Sequence, residues 1–245
     1  MTSPLLRTDE AGVCTLSLNR PDKLNALDEA TFEALAEQLA TLAGDETTRC
    51  VVLTGAGRSF CAGNDLEDIA SGNRSSDIHF RGRTVEALAT LPQPVVAAIR
   101  GHCFTGGLEL ALAADLLIAS DTARFADTHG KWGLTPIWGL TQRLPRRVGL
   151  PRAKAMMFTS RTVGAEEAAR IGLVDQVHPD ATLEAEVQTL CEAIAANSSF
   201  SNRAAKKMLE ETDGLSLAEG VRFERDNSPG MAPDAMERIA AFTRR

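Results

Sequence analysis

The chain has 245 residues, 44% of them hydrophobic, and a formal charge of −7 from 26 Lys and Arg against 33 Asp and Glu. That length can bury a sizeable core as one large domain or two small ones, and the acidic balance argues against a general nucleic-acid binder. Aromatic residues make up only 4%, with no Tyr, so packing rests on Ala, Leu and Val.

Near the N-terminus Cys14, Leu16 and Leu18 alternate with Val13, Thr15 and Ser17, the period of a half-buried strand. After a loop over residues 19–25, Phe32, Leu35, Leu39 and Leu42 recur at helical spacing behind Asp28 as N-cap, with Gly44 as the stop. Residues 50–54 read as a buried strand running into a glycine loop. Residues 71–78 are polar and aperiodic, as in a mobile surface loop. A second strand–glycine–helix unit follows: strand 94–99, glycine loop 101–107, helix 108–114. Short strands are predicted over 116–119 and 124–126. From Arg152 onward the pattern is mostly helical, with one short strand at 174–177. Leu183, Val187, Leu190 and Ile194 mark one helix face, and Met236, Ile239 and Phe242 another. Recurring strand, loop and helix indicate an α/β fold with a helical C-terminal third.

Several chemistries lack their motifs. The loop Thr54-Gly55-Ala56-Gly57-Arg58-Ser59-Phe60 puts Phe60 where G-x-G-x-x-G needs its third glycine, and no acidic residue ends a following strand, so no nicotinamide cofactor is expected. There is no G-x-S-x-G elbow and no H-E-x-x-H. Five cysteines without C-x-x-C spacing and four scattered histidines form no zinc pattern, so no metal is expected and the thiols read as reduced. Met1-Thr2-Ser3-Pro4 does not resemble a signal peptide, and Glu109 and Asp115 interrupt the longest apolar run. A cytoplasmic location with no membrane span is the expectation.

The informative segment is Gly106-Gly107-Leu108-Glu109, where a carboxylate sits just past a glycine pair and inside the apolar run that continues to Ala114. Glycines let a backbone approach a ligand closely. A carboxylate in apolar surroundings has a perturbed pKa and can handle protons. In Ser59-Phe60-Cys61-Ala62-Gly63-Asn64-Asp65-Leu66, small residues precede Asn64, whose N–H could enter a cleft while Asp65 caps the next helix. Two glycine loops after two strands can supply two converging N–H donors.

With these segments in view the chain resembles the enoyl-CoA hydratase/isomerase, or crotonase, superfamily over nearly its whole length. Residues 20–27 (Arg20-Pro21 to Asn25-Ala26-Leu27) are similar to its N-terminal signature, residues 60–66 to its first oxyanion loop, and residues 101–115 to its second loop and central helix. Gly133-Leu134-Thr135-Pro136 with Thr141-Gln142-Arg143-Leu144, and the stretch 165–174, resemble the segments that follow. The resemblance implies a spiral of ββα repeats over residues 1–190 carrying the acyl-CoA site. It also implies a helical region, 191–245, that makes trimers or dimers of trimers. It places an acyl-CoA thioester oxygen between the N–H groups of Asn64 and Gly106, with coenzyme A passing Ala26, Ala62, Asn64, Asp65 and Leu66. Coenzyme A is then part of the substrate, and no separate cofactor is implied.

Family hydratases carry two glutamates that hold a water. Glu109 matches the first; the second position falls on His129. Imidazole can serve as acid or base near neutral pH, but it can also simply line a cleft, hydrogen-bonded to Asp127 or Thr128. The leading expectation is hydration of trans-2-enoyl-CoA to 3-hydroxyacyl-CoA, with Glu109 managing the water proton. The alternatives are another enolate reaction (isomerisation, decarboxylation or thioester hydrolysis) and a non-catalytic acyl-CoA scaffold. Trp132 and Trp138 are candidate walls of the acyl pocket, Lys23 a candidate phosphate contact, and Arg203-Ala204-Ala205-Lys206-Lys207 the nearest thing to an RNA-binding helix.

Overall fold

The computed structural model describes residues 3–71 and 77–244; residues 72–76 of the predicted 71–78 loop lie outside the described residues. The chain begins with strands β1 (Leu5–Glu10) and β2 (Val13–Leu18) and helix α1 (Glu29–Ala43). β3 (Cys50–Gly55), α2 (Leu66–Ser71) and α3 (Phe80–Ala89) form a second unit, and β4 (Val95–Ile99), β5 (His102–Phe104) and α4 (Gly106–Ala111) a third. β6 (Leu116–Ser120), β7 (Arg124–Ala126), α5 (His129–Trp132), α6 (Leu140–Val148) and α7 (Leu150–Thr159) follow. β8 (Val163–Gly164), α8 (Ala165–Arg170) and β9 (Gln176–His178) complete the strands. The rest is helical: α9 (Leu183–Ala196), α10 (Ser199–Glu211), α11 (Leu217–Asn227) and α12 (Ala235–Thr243). No helix among the described residues is long and apolar enough to cross a membrane.

Six strands form one sheet in the order β1-β2-β3-β4-β6-β9, parallel except for the β1–β2 hairpin, and β5, β7 and β8 form a smaller second sheet. The central strands are apolar on both faces because both are covered. Leu16, Leu53, Ala97 and Leu117 pack toward α1, α3 and α4. Val52, Val96 and Ile118 on the other face pack against Leu183, Val187, Cys191 and Ala195 of α9. The predicted helix face on α9 is thus a sheet cover, and the 190/191 division falls inside this helix. The Asp28 cap forms as expected, its carboxylate accepting the Thr31 N–H at 2.9 Å.

Three boundaries differ from expectation. The predicted glycine loop 101–107 contains β5, which adds a strand to the second sheet, and α4 starts at Gly106 and ends at Ala111 rather than spanning 108–114. The strand expected at 174–177 pairs over Gln176–His178, because Leu173 and Val174 turn into the core and the Asp175 carboxylate takes the Leu117 N–H. β8, only two residues long, is too short to show a period. Of the three basic residues in the Arg203–Lys207 run, only Lys207 stands fully at the surface, 3.8 Å from Glu211. Arg203 donates to the carbonyls of Asp45 and Thr48, and Lys206 is buried against the Asp115 carboxylate at 2.9 Å.

Candidate active site

The two glycine loops are held side by side by backbone pairing. The Cys61 N–H donates to the His102 carbonyl at 2.8 Å, and the Phe104 N–H to the Cys61 carbonyl at 3.0 Å, so Cys61 and Cys103 pair in parallel register. Three residues further on each segment stand Asn64 and Gly106. Leu27 donates to the Gly63 carbonyl at 2.8 Å and accepts from the Asp65 N–H at 2.9 Å, which turns the intervening Asn64 N–H away from Leu27. Gly106 is the first residue of α4, where an N–H has no intrahelical acceptor. Neither amide donates to a protein acceptor among the described residues. The approach leaves no room for side chains: a Cβ on Gly107 would lie 2.5 Å from the Cys61 carbonyl oxygen, and one on Gly106 2.6 Å from the Trp138 ring.

Polar contacts, most of them between segments distant in the chain, fix these loops, and sequence reasoning missed most of them. Asn25, buried with φ 57°, accepts the Arg20 N–H and donates to the carbonyls of Ala56 and Ser59, stapling the N-terminal loop to the first glycine loop. Arg20 reaches the Ala26 carbonyl and the Asp65 carboxylate at 2.9 Å. Asp65 also caps α2 through the Glu67 N–H at 3.0 Å. Thr105 adopts φ 51°, rare for a β-branched residue, where its N–H donates to Ala126 and its hydroxyl contacts that of Thr128 at 2.5 Å. This contact ties the Gly106 loop to the segment carrying His129.

Glu109, His129 and Asp127 meet in the interior, with respective exposures of 2%, 4% and 1%. Glu109 Oε1 accepts the N–H groups of Trp138 at 2.9 Å and Leu140 at 3.3 Å, while Oε2 lies 3.7 Å from His129 Nε2. No Arg or Lys pairs with Glu109 among the described residues. Burial pushes its carboxyl above the usual range, opposed by His129 and the two amides. His129 Nδ1 lies 2.6 Å from Asp127 Oδ1.

Two adjoining cavities meet at this point. One, of about 330 Å³, is lined by Asn64, Glu109, His129, Leu134, Ile137 and Trp138 together with Arg81 and Ile78. The other, of about 340 Å³, is lined by all five residues expected along coenzyme A, namely Ala26, Ala62, Asn64, Asp65 and Leu66, and also by Lys131 and Trp132. Asn64 and Leu134 line both. The two tryptophans therefore divide: Trp138 walls the chamber beside Glu109, whereas Trp132 belongs to the second cavity. Lys23 lines neither and pairs with Glu67 at 2.7 Å.

The enoyl-CoA hydratase/isomerase family model matches residues 8–237. The chain belongs to the enoyl-CoA hydratase/isomerase family. Among its relatives in this family is the 1,2-epoxyphenylacetyl-CoA isomerase of Escherichia coli, 36% identical over 95% of this chain and 92% of that protein. The crystal structure of an enoyl-CoA hydratase from Bacillus anthracis superposes with a TM-score of 0.92 at 36% identity, covering 98% of this chain and 96% of that one. A Thermobifida fusca protein solved in complex with acetoacetyl-CoA matches with a TM-score of 0.85 at 32% identity, over 91% of this chain and 92% of that one. The fold is the crotonase fold of α/β core and C-terminal helices, and the chain is an enzyme of the hydratase/isomerase family.

Proposed function

We propose that this enzyme binds an acyl-CoA thioester and hydrates trans-2-enoyl-CoA to 3-hydroxyacyl-CoA through an enolate. The observation that carries the proposal is the 3.7 Å spacing of Glu109 Oε2 and His129 Nε2 in a cleft that Asn64 also lines, with the Asn64 and Gly106 N–H groups left without protein acceptors among the described residues. A water about 2.8 Å from both atoms fits that spacing and replaces the water held by two glutamates in family hydratases. The Asn64 and Gly106 N–H groups receive the thioester oxygen, where negative charge collects as the enolate forms; each such donor is worth about 2.7–4 kcal/mol of barrier. The acyl group occupies the chamber under Trp138, and coenzyme A follows the second cavity past Ala26, Ala62, Asp65 and Leu66. The acetoacetyl-CoA held by the Thermobifida fusca relative supports this class of ligand.

Purified protein incubated with crotonyl-CoA is expected to remove the conjugated enoyl absorbance. No loss at high enzyme concentration overturns hydration and promotes its rivals: isomerisation, which the name of the Escherichia coli relative favours, decarboxylation, thioester hydrolysis or a non-catalytic scaffold. We further propose assembly into trimers or dimers of trimers. Leu217, Val221, Met236, Ile239 and Phe242 expose apolar surface on α11 and α12 that assembly would cover. Light scattering is expected to give three or six times the 26.2 kDa chain mass; a monomer contradicts this.

A further inference from the structure

We propose that Asp127 is a positioning residue: it fixes the imidazole proton of His129 on Nδ1, making Nε2 the acceptor for the attacking water and leaving Glu109 to protonate the α-carbon. The chemistry rests on the hydration proposed above; the geometry rests on contacts within the site. Asp127 Oδ1 accepts the His129 backbone N–H at 3.1 Å and lies 2.6 Å from Nδ1 of the same residue. An ionised carboxylate only accepts, so the shared hydrogen sits on Nδ1, and a neutral imidazole protonated there offers a lone pair at Nε2. That lone pair faces Glu109 Oε2 at 3.7 Å. Glu109 Oε1 already accepts two amide hydrogens, which leaves Oε2 as the oxygen able to carry a proton. Asp127 lines neither cavity, so its influence passes through His129. The same arrangement of carboxylate, Nδ1–H and free Nε2 orients the histidine of a Ser-His-Asp triad.

The proton count closes. Water oxygen bonds the β-carbon while its proton passes to His129 Nε2, giving an imidazolium whose Nδ1–H pairs with the Asp127 carboxylate. The enolate, held by the two amides, takes the Glu109 proton at its α-carbon and leaves Glu109 ionised. Transfer from Nε2 back to Oε2 restores both groups. Burial, which raises the Glu109 pKa, favours the protonated form this sequence starts from.

The test is ¹⁵N NMR of His129 in the full-length protein, with Asp127→Ala and Asp127→Asn assayed on crotonyl-CoA. The expected wild-type spectrum shows a single tautomer protonated at Nδ1. In Asp127→Ala the two nitrogens average, and kcat falls about 100-fold or more while KM changes little. Asp127→Asn, which keeps an acceptor oxygen without the charge, retains the tautomer and recovers part of the loss. A wild-type proton on Nε2, or an Asp127→Ala enzyme with unchanged kcat, overturns the proposal. If the Ala variant does not fold, the wild-type spectrum and the Asn variant decide. If wild-type protein leaves crotonyl-CoA unchanged, hydration falls, while the wild-type spectrum still decides whether Asp127 sets the tautomer.

Discussion

Glu109→Gln is expected to lower kcat on crotonyl-CoA by about 10²–10⁴-fold, the usual contribution of a positioned acid or base. The substitution is close to isosteric, and its amide oxygen can still accept the Trp138 and Leu140 N–H groups that Oε1 accepts now. Packing around α4 is therefore retained, and KM and the unfolding midpoint should stay near wild type. Only the exchangeable proton at Oε2, facing His129 Nε2, is removed. Retained activity in Glu109→Gln would remove Glu109 from the chemistry and leave it as a buried structural carboxylate.

Gly107→Ala is expected to damage stability and turnover together. Its new Cβ would sit 2.5 Å from the Cys61 carbonyl oxygen and 2.8 Å from the Cys61 Cβ, so the first glycine loop must move. Both contacts are with a paired and buried segment that has no flexible end to yield. Overpacking of this kind costs about 1–3 kcal/mol. The same shift separates the Asn64 amide from the Gly106 amide, and a misplacement of about 1 Å at reacting groups can cost about 10²-fold in rate. Denaturant unfolding and kcat on crotonyl-CoA measure the two effects. Gly44→Ala is the control: no atom beyond its chain neighbours lies within 4 Å of its added Cβ and φ is −98°, so it should leave kcat unchanged and not lower stability. A fully active Gly107→Ala enzyme would mean that the spacing of the two loops is not critical.

Alternation and helical spacing were enough to locate β2, α1, β3, β4, β6, β7 and the buried face of α9, since each buries a regular stripe. Short elements escaped because two or three residues carry no period: β5 hid in a glycine loop, and β8 needed β7 beside it. Glu109 was legible as a lone carboxylate in an apolar run. The five residues assigned to coenzyme A through family resemblance do share one cavity. What stayed hidden was long-range. Nothing local shows that Asn25 spans 34 positions to the Ser59 carbonyl, or that Lys206 of an apparently basic helix turns inward to Asp115. His102, without a visible partner in the sequence, lies 3.0 Å through Nδ1 from the Ser59 hydroxyl. Asp127 and His129 are only two residues apart, yet their pairing required the 127–129 turn to bring Oδ1 back onto both nitrogens. Residue type and spacing allowed that contact without compelling it.

Enolate formation between the Asn64 and Gly106 amides, with Glu109 exchanging the α-proton, is tested most directly by turning over crotonyl-CoA in D₂O and reading the product by NMR. Wild-type enzyme is expected to give 3-hydroxybutyryl-CoA with one solvent deuterium at the α-carbon, and Glu109→Gln almost none. Protein that binds the thioester yet leaves its enoyl signal intact, with no deuterium at the α-carbon, would contradict it.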